Sequence, residues 1–366
     1  MNMCLTHQLK TQFDETKADG FAERLIGILN EGALSLMISI GHRTGLFDAL
    51  SEMGTGTSAE IARWTGLQER YVREWLGAVA TGKIVEYDPA RDSYSLPAEH
   101  AAFLTRTSTP DNIAVFAQYI GILGAVEDDI VECFRNGGGV SYEKFPRFHS
   151  VMAEDSGQTV LSSLLEHILP LMPGMLEKLR SGIRVLDVGC GRGKALLKMA
   201  EAFPASRFIG FDLSENALAW AREEADLRGL SNISFETRDL SDFNETAPER
   251  EFDLIFTFDA IHDQAKPLNV LRGIERALKN DGVYMMQDIH SAGRVDKNME
   301  HPIAPLLYTL SCMHCMTVSL AQDGDGLGAM WGREKAAELL SIAGFTQVDV
   351  HRLEHDFQND YYVIQK

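Results

Sequence analysis

Val185-Leu186-Asp187-Val188-Gly189-Cys190-Gly191-Arg192-Gly193-Lys194 is the stretch from which the fold can be worked out. A β-branched and aliphatic run leads into three glycines at alternate positions, and a helical pattern from Ala195 to Ala202 follows at once. This reads as a strand, a tight turn and a helix N-terminus. Glycine is needed where backbone amides approach a ligand without a Cβ in the way, or where φ turns positive. The helix start adds unpaired N–H groups and a positive dipole end, which suit an anionic or carboxylate-bearing group. A dinucleotide fingerprint wants Gly or Ala three residues after its second Gly. Lys194 stands there instead, and the third glycine falls one residue early, at Gly193.

Length and charge set the frame. At roughly 100–200 residues per domain, 366 residues leave room for two. A net charge of −19 argues against a general nucleic-acid binder, whose footprint is basic, and fits a neutral or positively charged substrate. Gln8, Lys10, Asp14, Glu15 and Lys17 interrupt any apolar run at the N-terminus, so no signal peptide is expected. No apolar stretch of the ~18–20 residues that a bilayer demands is evident. Five scattered cysteines, an odd number, fit a reducing compartment. The expectation is a cytoplasmic protein with no membrane partner.

Upstream of the glycines, residues 1–20 read as a flexible arm and residues 21–110 as a winged-helix unit. Apolar positions from Leu25 to Ile40 repeat at helical spacing within Phe21–Leu46. Thr57-Ser58-Ala59-Glu60 is a capping-box pattern that opens a short helix. Gln68 to Thr81 forms a second helix, and Ile84–Tyr87 with Tyr94–Leu96 reads as a hairpin. Helix, turn, helix and hairpin invite a DNA-binding reading, but phosphate contacts need a surplus of Lys and Arg. Glu69 and Glu74 offset Arg70 and Arg73, and Asp88 and Asp92 outnumber Arg91. The unit is expected instead to pair two subunits through its long first helix, giving a homodimer. Residues 111–180, helical and aromatic-rich, read as a connector and pocket roof.

Downstream, residues 181–366 alternate strand and helix in the manner of a doubly wound sheet, an α/β Rossmann-like fold. Parallel strands are expected at Arg184–Val188, Arg207–Phe211, Ile233–Thr237, Leu254–Phe258 and Gly282–Gln287. Gln347–Arg352 and Tyr361–Ile364 follow with no helix between them, so this last pair of the seven is expected to be antiparallel. Ligands bind beyond the carboxyl ends of such strands. Asp212 ends the second, about twenty residues past the glycines, where an acid can accept both ribose hydroxyls.

The run Asp187-x-Gly189-x-Gly191-x-Gly193 resembles motif I of class I S-adenosylmethionine-dependent methyltransferases. The resemblance implies S-adenosylmethionine as cofactor, held by Asp187, Gly189, Gly191 and Gly193. It implies Asp212 on the ribose, Leu213 beside the adenine and Asp239 at the adenine amino group, and it draws in Leu240, Phe258 and Asp259. Phe258-Asp259-Ala260-Ile261-His262-Asp263 is similar to the His-Asp segment of winged-helix small-molecule methyltransferases, including the plant O-methyltransferases. A second anchor, Phe148 to Ser156, has the spacing of Phe, Met and Ser found in those enzymes and implies that Met152 and Ser156 touch cofactor or substrate. A bacterial group of the same architecture, sometimes labelled transcriptional regulators, looks closer still. The implied activity is direct methyl displacement onto oxygen or sulfur of a small-molecule acceptor. The competing implication is a regulator that senses the cofactor.

His262 has the chemistry of a general base, because imidazole titrates near neutral pH. Asp288, at the end of the fifth strand, matches the carboxylate that orients this base in the resembled family. The second carboxylate of the plant pattern falls on Met330 and is missing. In the insertion Ser291 to Met330, Cys312-x-x-Cys315 lacks the further ligands of a structural zinc, so no metal is expected. The helix bearing Met313, His314 and Cys315 either faces a soft substrate or packs. Gly324 to Gly328 reads as a mobile loop able to close the site.

Overall fold

The computed structural model describes residues 13–366, and the chain divides after Thr105 into two compact units. Most of the expected N-terminal arm lies outside the described residues. Its last part does not: Asp14 caps a helix that runs from Glu15 to Thr44, accepting from Lys17 N at 3.1 Å. Gly45, at φ 73°, ends that helix before Leu46, and a separate helix, Leu46–Met53, buries Leu46, Phe47 and Leu50. The join is tight. A Cβ on Gly41 would stand 2.6 Å from both Phe47 and Trp75, so only glycine lets these rings meet edge to face at 5.2 Å.

The winged-helix elements follow. Helix Ser58–Thr65 opens on a complete Thr57/Glu60 capping box, and helix Glu69–Thr81 buries Val72, Trp75, Leu76 and Val79. Strands Glu86–Asp88 and Ser93–Ser95 pair, and a third, Thr55–Gly56, joins Ser93–Ser95. The cations of the second helix are spoken for: Arg73 pairs with Glu69 at 2.7 Å, and Arg70 with Glu74.

The 30-residue first helix is long and apolar enough, by length and composition alone, to cross a membrane. Asn30, Glu31 and isolated glycines and serines among its aliphatic residues hide this in the sequence. Within its unit the helix leaves Phe21, Ile26, Ile28 and Leu29 exposed.

In the second unit we label the strands β1 (Arg184–Val188), β2 (Arg207–Asp212), β3 (Ile233–Thr237), β4 (Phe252–Phe258), β5 (Leu278–Ile289), β6 (Gln347–His351) and β7 (Asn359–Gln365). They form one sheet in the order 3-2-1-4-5-7-6, with β7 antiparallel to both neighbours. Apolar clusters cover both faces, one around Leu196, Phe208 and Phe256, the other around Ile255, Ile274 and Tyr284. The strand β5 starts earlier than its pattern suggests. Asn280-Asp281-Gly282 looks like a turn, yet the chain carries it as a bulge between the pairs Phe252↔Leu278 and Leu254↔Val283.

Residues 106–181 and the insertion after β5 build the roof. Both contain single π-turns, at Gly157–Leu161, Leu164–Ile168 and Ser311–Cys315. The Gly324–Gly328 loop, expected to be mobile, is tied down. Asp325 N donates to Ala265 O (2.9 Å), Gly328 N to His262 O (3.0 Å), and Ser319 Oγ bridges Gln264 O and Gly326 N.

Candidate active site

A cavity of about 890 Å³ lies at the carboxyl ends of β1 to β4, wholly within the second unit. That is near the upper end of the ~300–1,000 Å³ usual for small-molecule sites. At one end the β1 turn exposes its glycines. Gly189 and Gly191 line the cavity with left-handed backbones, φ 77° and 53°. A Cβ on Gly189 would stand 2.7 Å from Ala260 Cβ, whereas at Gly191 it would meet nothing within 4 Å, so that face of the turn is open. Gly193 sits behind, as N-cap of helix Lys194–Ala202, where a Cβ would stand 2.4 Å from the Phe235 ring.

The acids of this end differ in their state. Asp187 is buried and its Oδ1 has no partner; burial, then the charge of Asp212, pushes its carboxyl up to about 8. A buried unpartnered acid on a cavity wall calls for a donor from a ligand. Asp212 is tied to the turn, with Oδ2 accepting from Gly191 N (2.7 Å) and Oδ1 from Ser214 N (2.8 Å). Asp239 Oδ1 accepts from Ser241 N at 2.9 Å, and Leu213 and Leu240 line the wall beside these acids. An orphaned acid, an open glycine turn and a helix N-terminus together suit a zwitterionic nucleoside.

Phe258 and Asp259 carry β4 into the other end. Asp259 holds φ 48°, uncommon for a non-glycine residue, and is fixed by Gln287: Asp259 N donates to Gln287 O (3.0 Å) and Gln287 Nε2 to Asp259 Oδ2 (2.9 Å). His262 follows, buried, with Nδ1 2.8 Å from Asp288 Oδ1. A carboxylate only accepts, so Nδ1 carries a proton, and Nε2 is the nitrogen left to take up or release the second. Asp288 Oδ1 also receives Trp331 Nε1 (3.0 Å) and Ile289 N (2.8 Å). Burial alone pulls the His262 imidazolium down; Asp288 first, then Cys315, outweighs it and lifts the group well above its ordinary value. Asp259, His262 and Asp288 are so close that one atom of each falls within 4.8 Å of the others.

Met152 and Ser156 line the roof, on the helix Phe148–Ser156 and at its end. Every expected site residue except Gly193 and Asp288 faces the cavity, and those two stand directly behind it. Trp331 and Asp155 are given no role by the sequence. Trp331 follows Met330, where the plant pattern has its second carboxylate, and its indole donates to the one carboxylate that is present. Tyr142, Asp155, His314 and Cys315 come from the roof and the π-turn. Tyr142 falls in the expected roof, and His314 and Cys315 on the helix for which facing a substrate was one of the two readings.

The strand order and this cavity define the class I S-adenosylmethionine-dependent methyltransferase fold. Residues 179–356 match the model of a methyltransferase domain, and residues 32–106 match that of the Rv2258c-like winged HTH domain. The chain thus carries a methyltransferase domain behind an Rv2258c-like winged helix. A ubiquinone biosynthesis O-methyltransferase of Actinobacillus pleuropneumoniae is 33% identical over 131 residues, 34% of this chain and 55% of that protein. The chain thus spans about half the length of that curated relative. Among solved structures, PigF with SAH matches at TM-score 0.69 and 19% identity, covering 97% of this chain and 100% of that one. Human N-acetylserotonin methyltransferase in complex with SAM matches at TM-score 0.67 and 18% identity, covering 98% and 99%.

Proposed function

We propose that the protein transfers a methyl group from S-adenosylmethionine to the hydroxyl oxygen of a small molecule. The observation that carries this reading is the Asp288–His262 pair on the wall of the cavity that also holds the open glycine turn. Gly189, Gly191, Asp187, Asp212, Leu213, Asp239 and Leu240 would hold the cofactor, with Phe258, Asp259, Met152 and Ser156 completing its surroundings. When bound, S-adenosylmethionine supplies an electrophilic methyl on a sulfonium centre. His262 Nε2 takes the acceptor proton, Asp288 stabilises the resulting imidazolium, and Trp331 keeps Asp288 aimed. The buried walls exclude water and orient the nucleophile.

The winged helix serves assembly in this reading. Its exposed apolar helix suits a second copy of the chain, giving a homodimer. The paired arginines of its second helix leave little cationic surface for phosphate, which weighs against a DNA-binding regulator.

S-adenosylhomocysteine production from phenols, small thiols and amines tests the reading. Turnover of phenols, lost in His262→Ala with cofactor affinity intact, is the expected result. Turnover of thiols alone, undiminished in that variant, would move the acceptor atom to sulfur. Cofactor binding without turnover on any acceptor would favour a sensor.

A further inference from the structure

His314 is an imidazole on the cavity wall that is buried with nothing to bond to among the described residues. It is 1% exposed, and both its ring nitrogens lack a partner. Its position is nevertheless fixed. The ring stacks on Phe148 at 3.5 Å and 8°, with Phe145 and Tyr142 edge to face at 4.7 and 4.9 Å. The single π-turn Ser311–Cys315 brings it to the cavity wall beside Cys315. Such turns recur at functional positions. Burial, reinforced by His262 and His149, drives its imidazolium well below the ordinary value, so the ring is neutral, one nitrogen a donor and the other an acceptor. Buried imidazole nitrogens without partners are costly unless a ligand supplies them.

The surroundings restrict what that ligand is. Tyr142, Phe145, Phe148 and Leu310 make this end flat-walled and apolar. Asp155, Asp259 and Asp263 face the same cavity. Its cations are engaged elsewhere: Arg192 with Ser150 Oγ, Lys194 with Ala153 O, Arg238 with Thr246 O and Arg147 with Gln118. The rings packed on His314, those of Phe148, Phe145 and Tyr142, carry no charge.

Resting on the methyltransferase reading above, we propose that His314 selects the acceptor by hydrogen-bonding a second polar group on a flat, uncharged, aromatic hydroxyl compound. The acceptor class is then a phenol bearing a neighbouring hydroxyl or carbonyl. His314 recognises the substrate, and His262 takes the proton.

Phenol, catechol and 2-hydroxybenzoate serve as probes, with calorimetric binding in the presence of S-adenosylhomocysteine measured beside turnover. Catechol is expected to bind more tightly than phenol, and 2-hydroxybenzoate more weakly than either. His314→Phe should raise the catechol KM about tenfold or more, leaving its kcat and the phenol KM within about threefold. His314→Gln, which restores a donor and an acceptor, should recover most of the catechol preference. Should the Phe variant lose cofactor affinity and so fail to fold, the Gln and Asn variants carry the same comparison. Equal losses on phenol and catechol, or no preference for catechol in the wild type, would overturn the proposal while leaving the methyltransferase reading intact. Catechol binding through His314 without methyl transfer would do the reverse.

Discussion

Two of the three imidazoles that face the cavity have been prepared oppositely by the loops that carry them. His262 stands at the end of β4 with a carboxylate on Nδ1 and an indole behind that carboxylate. His314 stands on a π-turn among three aromatic rings and bonds nothing. The first is lifted above its ordinary value and the second is driven below it. On the proposed reading the same side chain, equally buried, becomes a proton acceptor or a neutral reader according to whether a strand end has delivered an acid to it. Chemistry is thereby assigned to the sheet and selection to the roof.

Removing the base should have the largest effect. His262→Ala is expected to lower kcat on a phenolic acceptor by about 10²–10⁴-fold, measured as S-adenosylhomocysteine release, with cofactor affinity unchanged. Asp288→Asn should come next and sharpen the contrast. With its carboxylate gone, His262 loses what lifts it, so the rising limb of the pH–rate profile moves to lower pH. The sign follows from the chemistry: the neutral base gains population as pH rises through its folded value. Turnover falls at the same time, because the imidazolium formed in the reaction is no longer stabilised.

Gly193→Ala tests the frame beneath both loops. A Cβ 2.4 Å from Phe235 at φ 60° is expected to cost about 1–3 kcal/mol, read as a lower Tm. Trp331→Phe removes one donor to Asp288 and should reduce kcat only about three- to tenfold. The smallest effect concerns Asp155, whose carboxyl burial pushes up to about 7, against the pull of its bond from Tyr119. Its folded value lies above its unfolded value, so the folded state binds the extra proton between about pH 4 and 7. Stability from this group is present at low pH and is lost as pH rises through about 7. Asp155→Asn should flatten the decline of Tm between pH 5 and 8.

The two loops also differ in how openly the sequence announces them. The β1 turn, the acids at strand ends and the His262 segment are short, contiguous patterns that obey the strand-and-helix period. Their positions could be read within a residue or two. The roof obeys no such period. A π-turn inserts one residue into a helix and rotates the side chains beyond it, so spacing alone could not place His314 and Cys315 on the cavity wall. Trp331 gave no signal, because an indole buries well whether or not its N–H is used. The Asn280-Asp281-Gly282 bulge shows a related failure, in which turn-forming residues are spent inside a long strand. Gly324 to Gly328 misled in the other direction. Glycine-rich composition suggested motion where the backbone is in fact hydrogen-bonded to its neighbour.

That last tether bears on how such a protein could be re-engineered. Since Gly328 and Asp325 are bonded to the backbone of His262 and Ala265, segment 291–330 and the base loop form a single part. Grafting a foreign insertion onto this sheet to change its acceptor would unseat the base as well, unless residues 262–266 travelled with it. A chimera exchanging both segments together should keep its turnover, and one exchanging the insertion alone should not.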